Sequence, residues 1–192
     1  MALKLFHFDA CPFCEKVRQT LRRMDLEYES AAIDPADRST VEHVSGQPLV
    51  PVLQDGDRAI PDSTRILRYL IARYGERGLL PKGPAEQALV WVMEDYADEV
   101  LAPIIYAILK DRTMDGDPLD RSARKEMGRR LETQFRNLEQ LFAERPFAFG
   151  LTPSLADLAL HAFIGRLVVE GRGEVSAGFP HLKHWYERMD SA

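Results

Sequence analysis

The chain has 192 residues, 45% of them hydrophobic, and its 30 acidic side chains outnumber 25 basic ones for a net charge of −5. That length holds one large domain or two small ones, each able to bury a core, and the acid excess argues against a nucleic-acid partner. No apolar stretch reaches the roughly 18–20 residues that cross a membrane, and the first residues lack a charged-then-apolar signal pattern, so no membrane partner and a cytoplasmic location are expected.

In chain order, the first apolar run, Leu3 to Phe8, reads as a strand. Cys11-Pro12-Phe13-Cys14 follows and opens a helical period. Cys14, Val17, Leu21 and Met24 recur at steps of three or four and share one face, leaving Glu15, Lys16, Gln19, Arg22 and Arg23 on the other. Cys11 therefore stands at a helix N-terminus. Pro12 suits the first helical position, where its fixed φ fits and its missing N–H has no intrahelical use. The positive end of the helix favours a thiolate, the reactive form of cysteine. Lowering a thiol pKa by three units needs roughly 4 kcal/mol, and a helix dipole supplies at most ~2. Direct donors must supply the rest: the N–H groups of Phe13 and Cys14 and the Cys14 S–H. Lys16 and Arg18 are expected to be solvated and to contribute less.

These are the only two cysteines, too few for a disulfide framework. Zinc would need two more ligands, there is no second C-x-x-C, and His181 and His184 read as surface residues, so no metal is expected.

Glu27 to Ile33 reads as a second strand and Asp37 to Ser45 as a short helix with a weak stripe at Val41 and Val44. Leu49 to Leu53 and Arg58 to Ile60, joined through Asp55-Gly56, read as a β-hairpin. Asp62 and Ser63 are good caps for a third helix that carries Ile66, Leu67, Leu70, Ile71 and Tyr74 and stops at Gly75. The order is βαβαββα over residues 1–75. Residues 76–84 hold two prolines and two glycines and read as a linker.

From 85 to 192 strand signals vanish and an all-helical domain is expected. Ala85 to Leu109 carries a stripe at Val90, Met93, Ala97, Val100, Leu101, Ile104, Ile105 and Ile108, with a bend at Pro103. Arg121 to Glu144 carries another at Met127, Leu131, Phe135, Leu138 and Phe142. A capping-box variant runs from Ser154 to Asp157, with Pro153 and Leu158 placed as a staple. The last helix follows Phe179-Pro180 and buries Leu182, Trp185 and Met189.

Two further pairs carry chemistry. Proline inside an apparent strand removes a ladder hydrogen bond, so Val50-Pro51 demands a reason. A cis proline beside the thiol would leave the Val50 backbone free to pair with an extended thiol peptide. At Asp62-Ser63, the Ser63 N–H and hydroxyl suit a carboxylate and Asp62 suits an ammonium, together the amino-acid end of a γ-glutamyl group. Asp62-Ser63 is also explained as a helix cap, and Val50-Pro51 as an edge-strand proline.

C-P-F-C after the first strand, Val50-Pro51 before the hairpin, Asp62-Ser63 at the third helix, Gly150 to Asp157, and Phe179-Pro180-His181-Leu182 with Trp185-Tyr186 together resemble the glutathione transferase superfamily. The resemblance implies a thioredoxin-like glutathione-binding domain followed by a helical domain. C-P-F-C is most similar to two-domain glutaredoxins and cysteine-type transferases. It implies Cys11 and Cys14 as the catalytic pair, Pro12, Phe13, Val50, Pro51, Asp62 and Ser63 as glutathione contacts, and glutathione as cosubstrate with a small-molecule or protein disulfide as partner. Two departures stand out: Asp62 is shorter than the usual glutamate, and Leu49 replaces the threonine common before Val-Pro. Glutathione-dependent thiol–disulfide exchange is the leading expectation. Conjugation of glutathione to electrophiles and a non-catalytic binding module, as in soluble intracellular chloride channel proteins, are the alternatives. The resemblance leaves both homodimer and monomer open.

Overall fold

In the computed structural model, which describes residues 3–113, 120–169 and 178–191, the chain divides into two units, Met1–Arg77 and Gly78–Ala192. The first unit runs β1 (Leu3–His7), α1 (Pro12–Arg23), β2 (Tyr28–Ala32), α2 (Ser39–Ser45), β3 (Val52–Asp55), β4 (Arg58–Pro61) and α3 (Ser63–Tyr74). Its four strands lie in the order β2-β1-β3-β4, with β1 parallel to β2 and antiparallel to β3. This is the thioredoxin-like α/β arrangement.

The central strand explains the apolar run. β1 is flanked on both edges, and Leu3, Leu5, Phe6 and His7 are all buried. Successive side chains of a strand face opposite sides. Phe6 pairs with Val52 and packs with Val41 of α2, while Leu5 pairs with Leu53 on the opposite face. The stripes Val17, Leu21 and Met24 and Ile66, Leu67 and Leu70 are fully buried.

Element ends follow local chemistry. The Asp37 carboxylate accepts from the Ser39 N–H at 3.0 Å and the Ser39 hydroxyl at 2.6 Å, so α2 starts at Ser39 instead of Asp37. It ends at Gly46, whose φ of +76° suits glycine. The hairpin turns at Gly56-Asp57, one residue later than expected, because Asp55 pairs with Arg58 as the last strand residue. Tyr69 Oη of α3 donates to the Asp55 carboxylate at 2.5 Å, tying hairpin to helix.

Among its described residues the second unit is helical: α4 (Pro84–Tyr96), α5 (Ala102–Thr113), α6 (Arg121–Glu144), α7 (Leu155–Val169) and α8 (Pro180–Ser191). The expected bend at Pro103 takes the form of a π-helical turn, Ala97–Leu101, immediately before it. Proline cannot donate to the carbonyl four residues back, and the wider turn absorbs that loss. The extra residue per turn rotates the stripe, which leaves Val100 exposed while Leu101, Ile104 and Ile105 are buried.

Asp157 organises the α7 end of this unit. Its carboxylate is fully buried and accepts from Ser154 N–H (2.9 Å), Ser154 Oγ (2.7 Å), Ala148 N–H (2.8 Å) and Trp185 Nε1 (2.9 Å). The first two are the Asp157 half of the expected capping box. The last brings in α8, whose Trp185 stacks on Phe142 of α6 at 4.6 Å. Glu139 of α6 accepts the His181 and Leu182 N–H groups at 3.1 and 2.9 Å, capping α8 from a neighbouring helix.

Candidate active site

The sheet register gathers the sequence motifs at one end. Phe6 near the end of β1 pairs with Val52 at the start of β3, and Val52 pairs with Pro61 at the end of β4. The β1–α1 loop with Cys11, the Val50-Pro51 segment and the Asp62-Ser63 start of α3 therefore all leave from the same edge of the sheet. The Val50-Pro51 peptide is cis, and the strand begins only after it.

Cys11 is the N-cap of α1, in extended backbone with φ −90° and ψ 116°, and Pro12 occupies the first helical position. Its carbonyl accepts the Glu15 N–H at 2.9 Å and its N–H donates to the Phe8 carbonyl at 3.3 Å. Cys11 is partly exposed and Cys14 fully buried.

The two thiols are driven apart. The Cys14 thiol donates to the Cys11 sulfur and is the main cause that lowers the Cys11 pKa to about 7. Burial opposes it, and the N–H groups of Cys14 and Phe13 and the charge of Arg18 add to it. Burial first, then the hydrogen bond to Cys11 and its charge, push the Cys14 thiol far up. Near neutral pH, Cys11 is therefore the more readily ionised thiol and Cys14 a protonated donor. Alkylation with iodoacetamide should rise with pH around a midpoint near 7 at Cys11, as its thiolate forms, and stay slow at Cys14. A Cys11 midpoint at or above ~8.5 would remove the nucleophile.

Two expectations about α1 are corrected. Arg18 has only 14% of its side chain exposed, because the loop between β1 and α1 folds back onto it. Its Nε lies 2.7 Å from Glu15, and its Nη groups reach His7 Nδ1 at 2.8 Å, the Asp9 carbonyl at 2.9 Å and the Phe8 carbonyl at 3.4 Å. Lys16 and Gln19 are likewise buried, with Lys16 Nζ 5.7 Å from the Phe13 ring centre. The sequence signal for Arg18 was its spacing: seven residues after Cys11 is two helical turns, on the same face.

At α3, Asp62 is the N-cap and its Oδ1 accepts the Arg65 N–H at 3.0 Å. Its φ of +76° with ψ 130° is strained for a residue with a Cβ, and such strain concentrates at ligand sites. Ser63 is buried at the first helical position. Arg38 lies over the Phe8 ring at 5.2 Å and donates to the carbonyls of Pro35 and Pro48 at 3.2 Å each, contacts that sequence spacing did not reveal. Among the described residues, no group of three His, Cys, Asp or Glu side chains is placed to hold a metal.

Residues 5–78 match the model of the glutathione S-transferase N-terminal domain and residues 121–188 that of the glutathione S-transferase C-terminal domain. Glutathione S-transferase F10 of Arabidopsis thaliana is 29% identical over 187 residues, 90% of this chain and 85% of that protein. Glutaredoxin 2 of Escherichia coli (strain K12) is 31% identical over 103 residues, 53% of this chain and 48% of that protein. A glutathione S-transferase structure from Sinorhizobium meliloti 1021 superposes with a TM-score of 0.88 at 23% identity, covering all of this chain and 89% of that one.

Proposed function

The chain belongs to the glutathione S-transferase superfamily, and from that premise we propose that it is a cytoplasmic glutathione-dependent thiol transferase and disulfide reductase with Cys11 as its nucleophile. The observation that carries this reading is the pair of unequal thiols at the start of α1, Cys11 partly exposed at the helix N-terminus with its pKa lowered to about 7 and Cys14 buried and protonated.

In the proposed cycle the Cys11 thiolate attacks the glutathione sulfur of a mixed disulfide. The S–S bond breaks, the substrate thiolate leaves and takes a proton from water, and glutathione stays bound to Cys11 as a disulfide. A second glutathione thiolate then attacks the bound glutathione sulfur, leaves as glutathione disulfide and frees Cys11. Alternatively Cys14, after losing its proton, attacks the Cys11 sulfur, expels glutathione and leaves a Cys11–Cys14 disulfide that two further glutathione molecules reduce. Conjugation needs a different start, in which a protein group ionises the thiol of glutathione. A Cys11 thiolate would itself take up the hydrogen-bond donors that such ionisation needs, and with glutathione disulfide it would exchange, keeping one glutathione as a mixed disulfide and releasing the other as its thiolate.

The first unit is the proposed glutathione-binding domain, with residues 76–84 as linker and 85–192 as the helical domain. Pro12 and Phe13 frame the thiol, the Val50-Pro51 backbone receives the peptide part of glutathione, and Asp62 and Ser63 hold its γ-glutamyl end. A ligand role can be told from a capping role. Ser63→Ala should weaken glutathione binding by the ~1.5–3 kcal/mol of a hydrogen bond to a charged group, read by calorimetric titration in a Cys11→Ser background. Asp62→Asn retains a capping oxygen and should cost affinity for the ligand's ammonium more than stability. Unchanged affinity in both would make the pair a plain cap.

The reading as a whole is tested by two assays on one preparation: reduction of hydroxyethyl disulfide by glutathione, and conjugation of glutathione to an aryl halide. Reduction dependent on Cys11 supports thiol transfer. Conjugation without reduction supports the transferase alternative, and neither activity with retained glutathione binding supports a binding module.

A further inference from the structure

We propose that Arg18 is the positioning residue of the thiol site: held between Glu15 and His7, its guanidinium grips the carbonyls of Phe8 and Asp9, fixes the loop that presents Cys11, and brings a fixed positive charge to that site. The inference rests on the thiol-exchange reading and assigns it a residue outside the C-P-F-C motif.

The geometry is that of a clamp. The Phe8 carbonyl accepts from both the Cys11 N–H at 3.3 Å and Arg18 Nη1 at 3.4 Å, so the cysteine backbone and the guanidinium share an acceptor. Arg18 Nη2 holds the next carbonyl, that of Asp9, at 2.9 Å. These two residues lead directly from β1 into the loop before Cys11. Four acceptors spread around one planar group match the guanidinium fork and exceed what a single ammonium can serve.

The neighbours explain why the clamp stays in place. Arginine can only donate, so His7 Nδ1 accepts, and its Nε2–H then donates to Ser30 Oγ at 2.7 Å. Burial and Arg18 hold the His7 pKa below its usual value, which keeps that acceptor neutral at physiological pH. Glu15 aims one oxygen at Arg18 Nε and the other at Arg22, both at 2.7 Å. The Asp9 carboxylate stands 3.8 Å from Arg18 and 3.5 Å from His7 but is 88% exposed, so water screens it. Together with Cys14, these are the ionisable groups that the contacts above place around the clamp. Arg22 is more than half exposed and the buried Lys16 sets its Nζ by the Phe13 ring, and of these cations it is Arg18 whose charge acts to favour the Cys11 thiolate.

The test measures Cys11 alkylation against pH in the whole protein and in Arg18→Met, Arg18→Gln and Arg18→Lys. Removing the charge should move the midpoint upward, so that labelling at pH 6 slows at least ~3-fold, while the rate at high pH, where all Cys11 is thiolate, is unchanged. Arg18→Gln keeps a donor for the loop and serves if Arg18→Met does not fold. Arg18→Lys should restore most of the midpoint but not the thermal stability, since the charge returns without the fork. A purely structural Arg18 would lower stability in the neutral variants and leave the midpoint where it was, and that result overturns the proposal. If the unaltered protein itself titrates at or above ~8.5, the thiol-exchange reading fails instead.

Discussion

Cys11→Ser should reduce glutathione-dependent disulfide reduction to the uncatalysed level, whereas Cys14→Ser should keep most of the turnover of small glutathione mixed disulfides. The difference follows from what each sulfur does. In the proposed cycle Cys11 is the group that bonds to the substrate, and a serine hydroxyl at that position is not ionised near neutral pH. Cys14 acts through a hydrogen bond to Cys11, and a serine hydroxyl can donate that bond too, while external glutathione resolves the mixed disulfide. Cys14→Ala separates the two contributions. Loss of a hydrogen bond to a charged sulfur costs ~1.5–3 kcal/mol, or ~1–2 pKa units. The thiolate is the form destabilised, so the Cys11 midpoint should rise by that amount and the rate at pH 7 should fall ~10-fold. Equal loss from Cys11→Ser and Cys14→Ser would require both thiols in every turnover and would contradict the monothiol route.

Asp157→Ala should be the most damaging change in the helical unit, destabilising the fold by roughly 3–5 kcal/mol in urea melts. Four donors converge on this carboxylate from Ser154, Ala148 and Trp185. Methyl in its place leaves the Ala148 N–H and the Trp185 indole N–H buried without an acceptor. Asp157→Asn should cost less, because its amide oxygen still serves two of them and the Ser154 hydroxyl can turn to accept from its NH2. A loss below about 1 kcal/mol for Asp157→Ala would show that water or a shifted loop replaces the carboxylate.

What the sequence made legible is what depends on short-range pattern. Cys11 before Pro12 and an apolar period is enough to place a thiol at a helix start, and the Asp-Ser pair falls at the expected helix start, whereas Val50-Pro51, read inside a strand, precedes it because β3 begins at Val52. The stripes on α1 and α8 are buried, as are Ile66, Leu67 and Leu70 of α3 and Phe135, Leu138 and Phe142 of α6, while Ile71, Tyr74, Met127 and Leu131 are half-buried. The misses arise where a distant segment decides burial. Lys16, Gln19 and Arg18 have the residue types of a solvated face, yet tertiary structure covers them. Periodicity cannot show that the loop before Cys11 turns back over Arg18, nor that Trp185 donates to an aspartate 28 residues earlier in the chain. The π-turn at Ala97–Leu101 was missed for a related reason: proline announces a disturbance in a helix, but the backbone around it chooses the form.

Turnover by the proposed route requires that Cys11 carry glutathione as a mixed disulfide. The direct measurement is peptide-level mass spectrometry of the protein after brief exposure to glutathione disulfide near pH 7, in the unaltered chain and in Cys14→Ser, followed by a chase with reduced glutathione. The expected result is a single glutathionyl group on Cys11 that accumulates in Cys14→Ser and is discharged by the chase. An adduct on Cys14, or no adduct from a protein that still conjugates glutathione to an electrophile, would contradict it.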